Sequence, residues 1–298
     1  MTSAADAGTW TLGDLTVSRL GFGAMRLTGS RPFDPESRPS DRDRAIGVLR
    51  LAVELGVNHI DTAAFYFSAL RSANELINSA LAPYPDGLVI TTKVGPGRDP
   101  GGNWQGMARP EQLRGQVEEN LRQLGRDDLD VVNLRRIPTE IPFAEHFGAL
   151  ADLQTAGLVR HLGVSAIKPE HLAEAQAVAP VVCVQNSYSF DHRQADPLLR
   201  ACSTQGIAFV PFFAIAGQNR EAGAGQLAAE SQLEAIARAH GATPAQIRLA
   251  WTLHQGPHVL AIPGTGDPEH LKQNVAAAAI RLSEQELAGL GPVAQAGP

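Results

Sequence analysis

"SDRDRAIGVLRLAVELGVNHID", residues 40–61, contains the unit from which the chain is built. Ser40-Asp41 is a helix-start signal, because a short side-chain oxygen there can accept from an otherwise unpaired first-turn amide. Ile46, Leu49, Val53 and Leu55 then recur at near-helical spacing, and Gly56 is the residue that leaves a helix most easily. "VNHID" follows as a short apolar strand ending in a carboxylate.

The order helix, glycine, strand, polar loop repeats. "ANELINSAL" reads as helix and "LVITTKV" as strand; Pro110 opens a helix carrying Leu113, Val117 and Leu121, closed by Gly125 before "LDVVNL". "HLGVS", "VVCVQN" and "IAFVPFF" each follow a helical stretch, and helices around 226–240 and 244–254 precede "HVLAIPG". With "RLGFGAM" as the first, eight short strands alternate with helices, which implies parallel pairing and an α/β fold, a closed (β/α)8 TIM barrel. A doubly wound open sheet is the alternative. "TWTLGDLTVSRLG" predicts an N-terminal β-hairpin closing the bottom. No composition break divides the chain, so residues 1–298 are expected to form a single barrel domain. "GPGRDPGGNWQGMARP" (95–110) follows a strand end and is placed to act as a lid.

Length and composition allow a real core: 298 residues, 44% hydrophobic and 19% charged. A net charge of −6 argues against a general nucleic-acid surface. No apolar run reaches membrane-spanning length and "MTSAADAGTW" lacks a signal-peptide core, so a soluble cytoplasmic protein is expected, monomer or small homo-oligomer. Cys183 and Cys202 have no metal-ligand spacing and read as small buried apolar residues; no metal is expected.

In such barrels the chemistry collects where strands end. Those ends carry Asp61, Lys93, Asn133 and Arg135, Ser165, Gln185-Asn186 and Phe212-Phe213. Asp61, Lys93 and nearby Tyr66 form a coherent set. An ammonium stabilises phenolate and should lower the tyrosine pKa, while a carboxylate keeps the lysine charged and positioned. Such a trio can protonate a carbonyl oxygen as hydride reaches carbon. "GFGAMR" begins like a dinucleotide fingerprint, but Arg26 replaces its last glycine, which argues against an open dinucleotide-binding sheet. "AIPGTGDPEHLKQN" ends a strand and starts a helix near Pro268. Free amides there, with Thr265, His270 and Lys272, could hold a phosphate.

Taken together, "RLGFGAMRL", "GVNHIDTAAFY", "ITTKVG", "LDVVNL", "HLGVS", "VQNSY" and "AIPGTGDPEHLKQN" resemble the aldo-keto reductase superfamily over essentially the whole chain. The resemblance implies a barrel that binds NADPH, NADH being the less favoured choice, and reduces a small-molecule aldehyde or ketone. It puts the family's catalytic residues on Asp61, Tyr66 and Lys93, and its nicotinamide contacts on Ser165, Gln185 and Phe212. Gly23, Met25, Gly217, Gly264, Thr265, His270, Lys272 and Asn274 complete the expected cofactor trough, and Phe65, Phe67 and Trp104 the substrate wall.

The sequence departs from the family in three places. The usual fourth catalytic residue, histidine, is replaced by Arg135 or by Asn133, two residues earlier on the same strand face. Ala166 stands where the family has asparagine, and Gly264 and His270 where it has a phosphate-binding lysine and arginine. "LDVVNLR" with the later "PFF" resembles a bacterial branch that includes pyridoxal reductases. Two other functions fit the same residues: a slow NADPH-binding sensor, and non-redox elimination or hydrolysis on the same scaffold.

Overall fold

A computed structural model describes residues 2–29, 33, 38–215 and 227–290. The predicted hairpin is present as antiparallel β1 (Thr9–Leu12) and β2 (Leu15–Ser18). There follow β3 (Phe22–Gly23), α1 (Arg42–Glu54), β4 (His59–Asp61), a small hairpin β5 (Phe67–Ser68) and β6 (Arg71–Ser72), α2 (Ala73–Leu81) and β7 (Val89–Val94). A second hairpin, β8 (Pro96–Arg98) and β9 (Trp104–Met107), leads to α3 (Leu113–Leu124), β10 (Leu129–Arg135), α4 (Phe143–Thr155), β11 (Val159–Ser165) and α5 (Pro169–Gln176). The chain continues through β12 (Cys183–Gln185), α6 (Asp196–Gln205), β13 (Ala208–Phe209), α7 (Leu227–Ala239), α8 (Pro244–Leu253), α9 (Pro268–Ala276) and α10 (Glu284–Gly289).

In the founding unit, Asp41 caps α1 by accepting from the Arg44 amide at 2.8 Å. Ile46 and Leu49 are buried, together with Ala45, Val48 and Ala52, while Gly56 turns the chain out at φ +85°. A side chain at Gly56 would strike Ser3 as well as strain the backbone.

Strands β13, β12, β11, β10, β7, β4 and β3 form one parallel sheet in that order. The eighth predicted strand is reduced to two parallel bridges, Phe209↔Val259 and Leu20↔Ala261. These join the sheet's two edges. The Leu260 amide donates to the Phe209 carbonyl at 2.9 Å, and the Ala261 amide to the Arg19 carbonyl at 2.8 Å. Gly256-Pro257 before it and Pro263-Gly264 after it keep this segment short. The ring is a closed (β/α)8 barrel.

Leu12 and Val17 of the hairpin pack on Val89, Val131, Cys183, Ala208, Val210 and Leu260, stopping the lower end of the barrel. Alternation along each strand then stacks inward residues above this apolar floor. Asn133 and Cys183 form a middle layer with Gly163 between them; a methyl group there would come within 2.0 Å of the Asn133 Oδ1. Asp61, Lys93, Arg135, Ser165 and Gln185 stand above, at the strands' C-terminal ends.

Candidate active site

Asp61 and Lys93 meet at the upper end of the barrel, both buried. The Lys93 Nζ donates to both Asp61 oxygens, at 2.7 and 2.6 Å, and to the Thr62 carbonyl at 2.9 Å. It also lies 4.8 Å from the centroid of the Tyr66 ring. Tyr66 is held in a turn: its amide donates to the Ala63 carbonyl, and its carbonyl accepts from the Ala73 amide that opens α2. A buried polar chain backs the pair. The Thr62 hydroxyl donates to Asn74, Asn74 to Asn120, and the Thr92 hydroxyl also donates to Asn120.

The expected lowering of the Tyr66 pKa is not what this arrangement produces. Burial raises it above its ordinary value of 10.0; Lys93 and Arg135 pull it down and Asp61 pushes it up, and burial prevails. Lys93 is raised as well: burial opposes its charge, but Asp61 and Tyr66 outweigh burial. The phenol therefore keeps its proton and can give it to a developing alkoxide beside a permanent cation.

Arg135 lines the same cavity of about 210 Å3 as Asp61, Tyr66 and Lys93. Its guanidinium stands 5.5 Å from the centroid of the Phe212 ring. Among the described residues no carboxylate pairs with it, and Asp61 is held by Lys93. Asn133 lies a layer lower, accepting from the Cys183 thiol at 3.1 Å, and does not line that cavity. Both cysteines are buried and free, and burial pushes their thiols up to about 12.

Gly23 and Met25 line the same cavity, with Gly264 and Phe212. Two glycines meet there. A methyl group on Gly264 would come within 2.4 Å of the Gly23 carbonyl oxygen, and one on Gly23 within 2.7 Å of the Ile262 carbonyl oxygen. Gln185 donates to Asp61 at 2.7 Å, and among the described residues neither its buried Oε1 nor the buried Ser165 Oγ has a partner. A carboxamide group fits this pair, since its NH2 can satisfy the Gln185 oxygen and either end can engage the hydroxyl. The residues present therefore fit a nicotinamide cofactor.

The phosphate corner differs from expectation. Helix α9 starts at Pro268 as predicted, but its first amides are not free: Asp267 accepts from the Glu269 and His270 amides at 2.8 and 3.1 Å. Asp267 also pairs with Arg44, Lys272 pairs with Glu269, and the Thr265 hydroxyl accepts from the Asp267 amide. An aspartate directly before the first-turn proline was the available signal for this cap. Asn274 lies on the buried face of α9, and Gly217 lies outside the described residues.

Phe65 and Trp104 line the first cavity, whereas Phe67 lines only a second, more polar cavity of about 600 Å3, which Phe65 and Lys93 also border. Phe213, read from sequence at a strand end, lines the first cavity too, as do Phe33 and Ile215, which were not singled out from sequence. Phe33 and Ile215 come from aperiodic loops, which no apolar period marks. Among the described residues no helix is long and apolar enough to cross a membrane, and no group of His, Cys, Asp and Glu could hold a metal ion.

Comparison with known proteins bears on this geometry. The aldo/keto reductase family model matches residues 19–292. Pyridoxine 4-dehydrogenase of Escherichia coli (strain K12) is 43% identical over 295 residues, covering 97% of this chain and 99% of that protein. The thermostable aldo-keto reductase Tm1743, solved with epalrestat, matches with a TM-score of 0.80 at 31% identity, over 95% of this chain and 98% of that one. An aldo-keto reductase from Klebsiella pneumoniae solved with NADPH gives 0.79 at 28% identity, over 97% and 94%. The chain thus belongs to the aldo/keto reductase family, as an oxidoreductase that reduces small carbonyl compounds with a nicotinamide cofactor.

Proposed function

We propose that the chain reduces the aldehyde of a hydroxylated aromatic ring, with pyridoxal as the candidate substrate and NADPH as reductant. The observation that carries this reading is Arg135. It stands in the cavity of Tyr66 and Lys93 beside the Phe212 ring, a cation with no carboxylate partner among the described residues. The E. coli relative is named for pyridoxine, the alcohol that corresponds to pyridoxal.

In this reading Tyr66 donates its phenolic proton to the carbonyl oxygen, and Lys93 stabilises the phenolate that remains. Asp61 keeps Lys93 charged and aimed through the paired contacts at 2.7 and 2.6 Å. When bound, the reduced nicotinamide supplies hydride to the carbonyl carbon. Ser165 and Gln185 hold its carboxamide, Phe212 flanks its ring, and Gly23, Met25 and Gly264 leave room along the trough. Arg135 takes the role of the family histidine by engaging the ring hydroxyl beside the aldehyde as its phenolate. Asn133 supports that layer from below.

NADPH over NADH is supported by the NADPH-bound Klebsiella relative. Around Thr265, His270 and Asn274, Arg44 and Lys272 provide cations that can exchange an acidic partner for a phosphate. The test is NADPH and NADH oxidation by purified protein with pyridoxal, benzaldehyde and 4-carboxybenzaldehyde. Turnover of pyridoxal with NADPH is expected; inertness toward all three ends the reading, and equal rates with NADH end the cofactor assignment.

Arg135→Met should raise the KM for pyridoxal by about tenfold to a hundredfold, the worth of a charge-assisted hydrogen bond. Benzaldehyde, which has no oxygen for the arginine to hold, should change little. Equal losses on both substrates would remove Arg135 from substrate recognition.

A further inference from the structure

Arg98 was not singled out from sequence, and the catalytic scheme does not use it. It is the last residue of β8, in register with Trp104 across the lid hairpin. Its guanidinium serves carbonyls from three separate segments. The Nε donates to the Gly102 carbonyl at 2.9 Å, within the lid itself. One terminal nitrogen donates to the Phe67 and Phe65 carbonyls, at 2.6 and 3.3 Å, and the other to the Phe33 carbonyl at 3.4 Å. The same group stands 4.3 Å from the Phe67 ring centroid, 5.4 Å from that of Phe33 and 5.7 Å from that of Trp104.

Among the described residues no carboxylate bonds to Arg98. Its neighbour Asp99 is taken up by Asn103, which donates to it from both backbone and side chain. Burial lowers the Arg98 pKa and only the charge of Asp99 acts against this, so the cation is kept here for what its geometry does. A planar fork with five donors can reach carbonyls in several directions and still present faces to aromatic rings; an ammonium cannot do both.

The carbonyls of Phe65 and Phe67 belong to the residues on either side of Tyr66. The rings tied by Arg98 continue to the tyrosine: Phe33 lies 5.8 Å from Tyr66 and 5.1 Å from Trp104, and Phe65 lies 5.2 Å from Tyr66 and 5.7 Å from Trp104. We infer that Arg98 is a positioning residue that clasps the lid to the Tyr66 turn and to Phe33, and so sets the aromatic wall against which the substrate's ring is held. This inference rests on the carbonyl-reductase reading above and extends it to a residue that touches neither substrate nor cofactor.

The test compares Arg98→Lys with wild type, using benzaldehyde as the aromatic aldehyde and propanal as one too small to need the wall. The ratio of kcat/KM for benzaldehyde to that for propanal should fall about tenfold, mainly through KM, as expected for a misplaced ring. NADPH affinity and thermal stability should stay near wild type. Trp104→Leu, which alters a half-exposed ring at the cavity rim, should lower the same ratio, and adding it to Arg98→Lys should cost little more. Equal losses on both aldehydes, or none, would overturn the proposal.

Hydrogen exchange gives an arm independent of turnover. Amides of 65–67 and 96–107 should exchange faster in Arg98→Lys while the barrel strands do not change. If wild type proves inert toward every aldehyde, the reductase reading fails but exchange still decides the clasp: unchanged exchange in both segments overturns it.

Discussion

Tyr66→Phe should reduce aldehyde turnover by about 10²- to 10⁴-fold, the usual worth of a positioned general acid, while NADPH still binds and the protein stays folded. The substitution removes one oxygen and leaves the ring in contact with Phe33 and Phe65. Because burial holds the phenol above 10.0, wild-type turnover should not decline across the neutral range through loss of this proton. Steady-state oxidation of NADPH and equilibrium cofactor fluorescence check the two halves. Undiminished turnover with intact binding would transfer the acid role to another group.

Lys93→Met should be the most damaging substitution in the barrel for stability. The side chain it replaces is fully buried and balances a buried carboxylate. Removing one member of such a pair leaves the other charge uncompensated and costs about 3–5 kcal/mol, although Met conserves the volume. The Gln185 amide would remain as the only side-chain donor to Asp61 shown among the described residues. Activity should fall too, since the phenolate loses its cation. The folded-state pKa of Lys93 lies above the ordinary 10.5. Its contribution is therefore complete below that value and is lost as pH rises through the raised one. Tyr66, also raised, acts in the same direction in both proteins. The gap in unfolding free energy between wild type and variant should narrow above 10.5. Denaturant titrations at neutral and strongly alkaline pH measure it, and a constant gap would mean that the pair carries no net proton linkage.

Much of the barrel was legible because helix and strand periods differ and the glycines between them mark the change. The helix from Arg42 to Glu54 and the strand to Asp61 follow the pattern of apolar residues closely. The eighth strand was legible as a sequence, "HVLAIPG", but its contraction to two bridges was not, since that depends on the distance between sheet edges. Strand alternation put Arg135 and Asn133 on one inward face; depth separated them, and depth is a property of the barrel's slant rather than of spacing. The Tyr66 shift was missed for a related reason: neighbouring charges can be read from strand ends, but the loss of water around a phenol follows from the finished packing. Arg98 was missed because its partners lie up to 65 positions away, in loops without period.

The hairpin that stops the lower end of the barrel has a consequence beyond packing. Cys183 lies above Leu12 and Val17 and below the Asp61–Lys93 pair, and Cys202 lies buried within α6. Neither thiol meets solvent at either mouth. A sulfhydryl reagent therefore reaches Cys183 only when the ring opens and Cys202 only when α6 lifts from its neighbours, and the chain holds two silent clocks that start when native packing is lost.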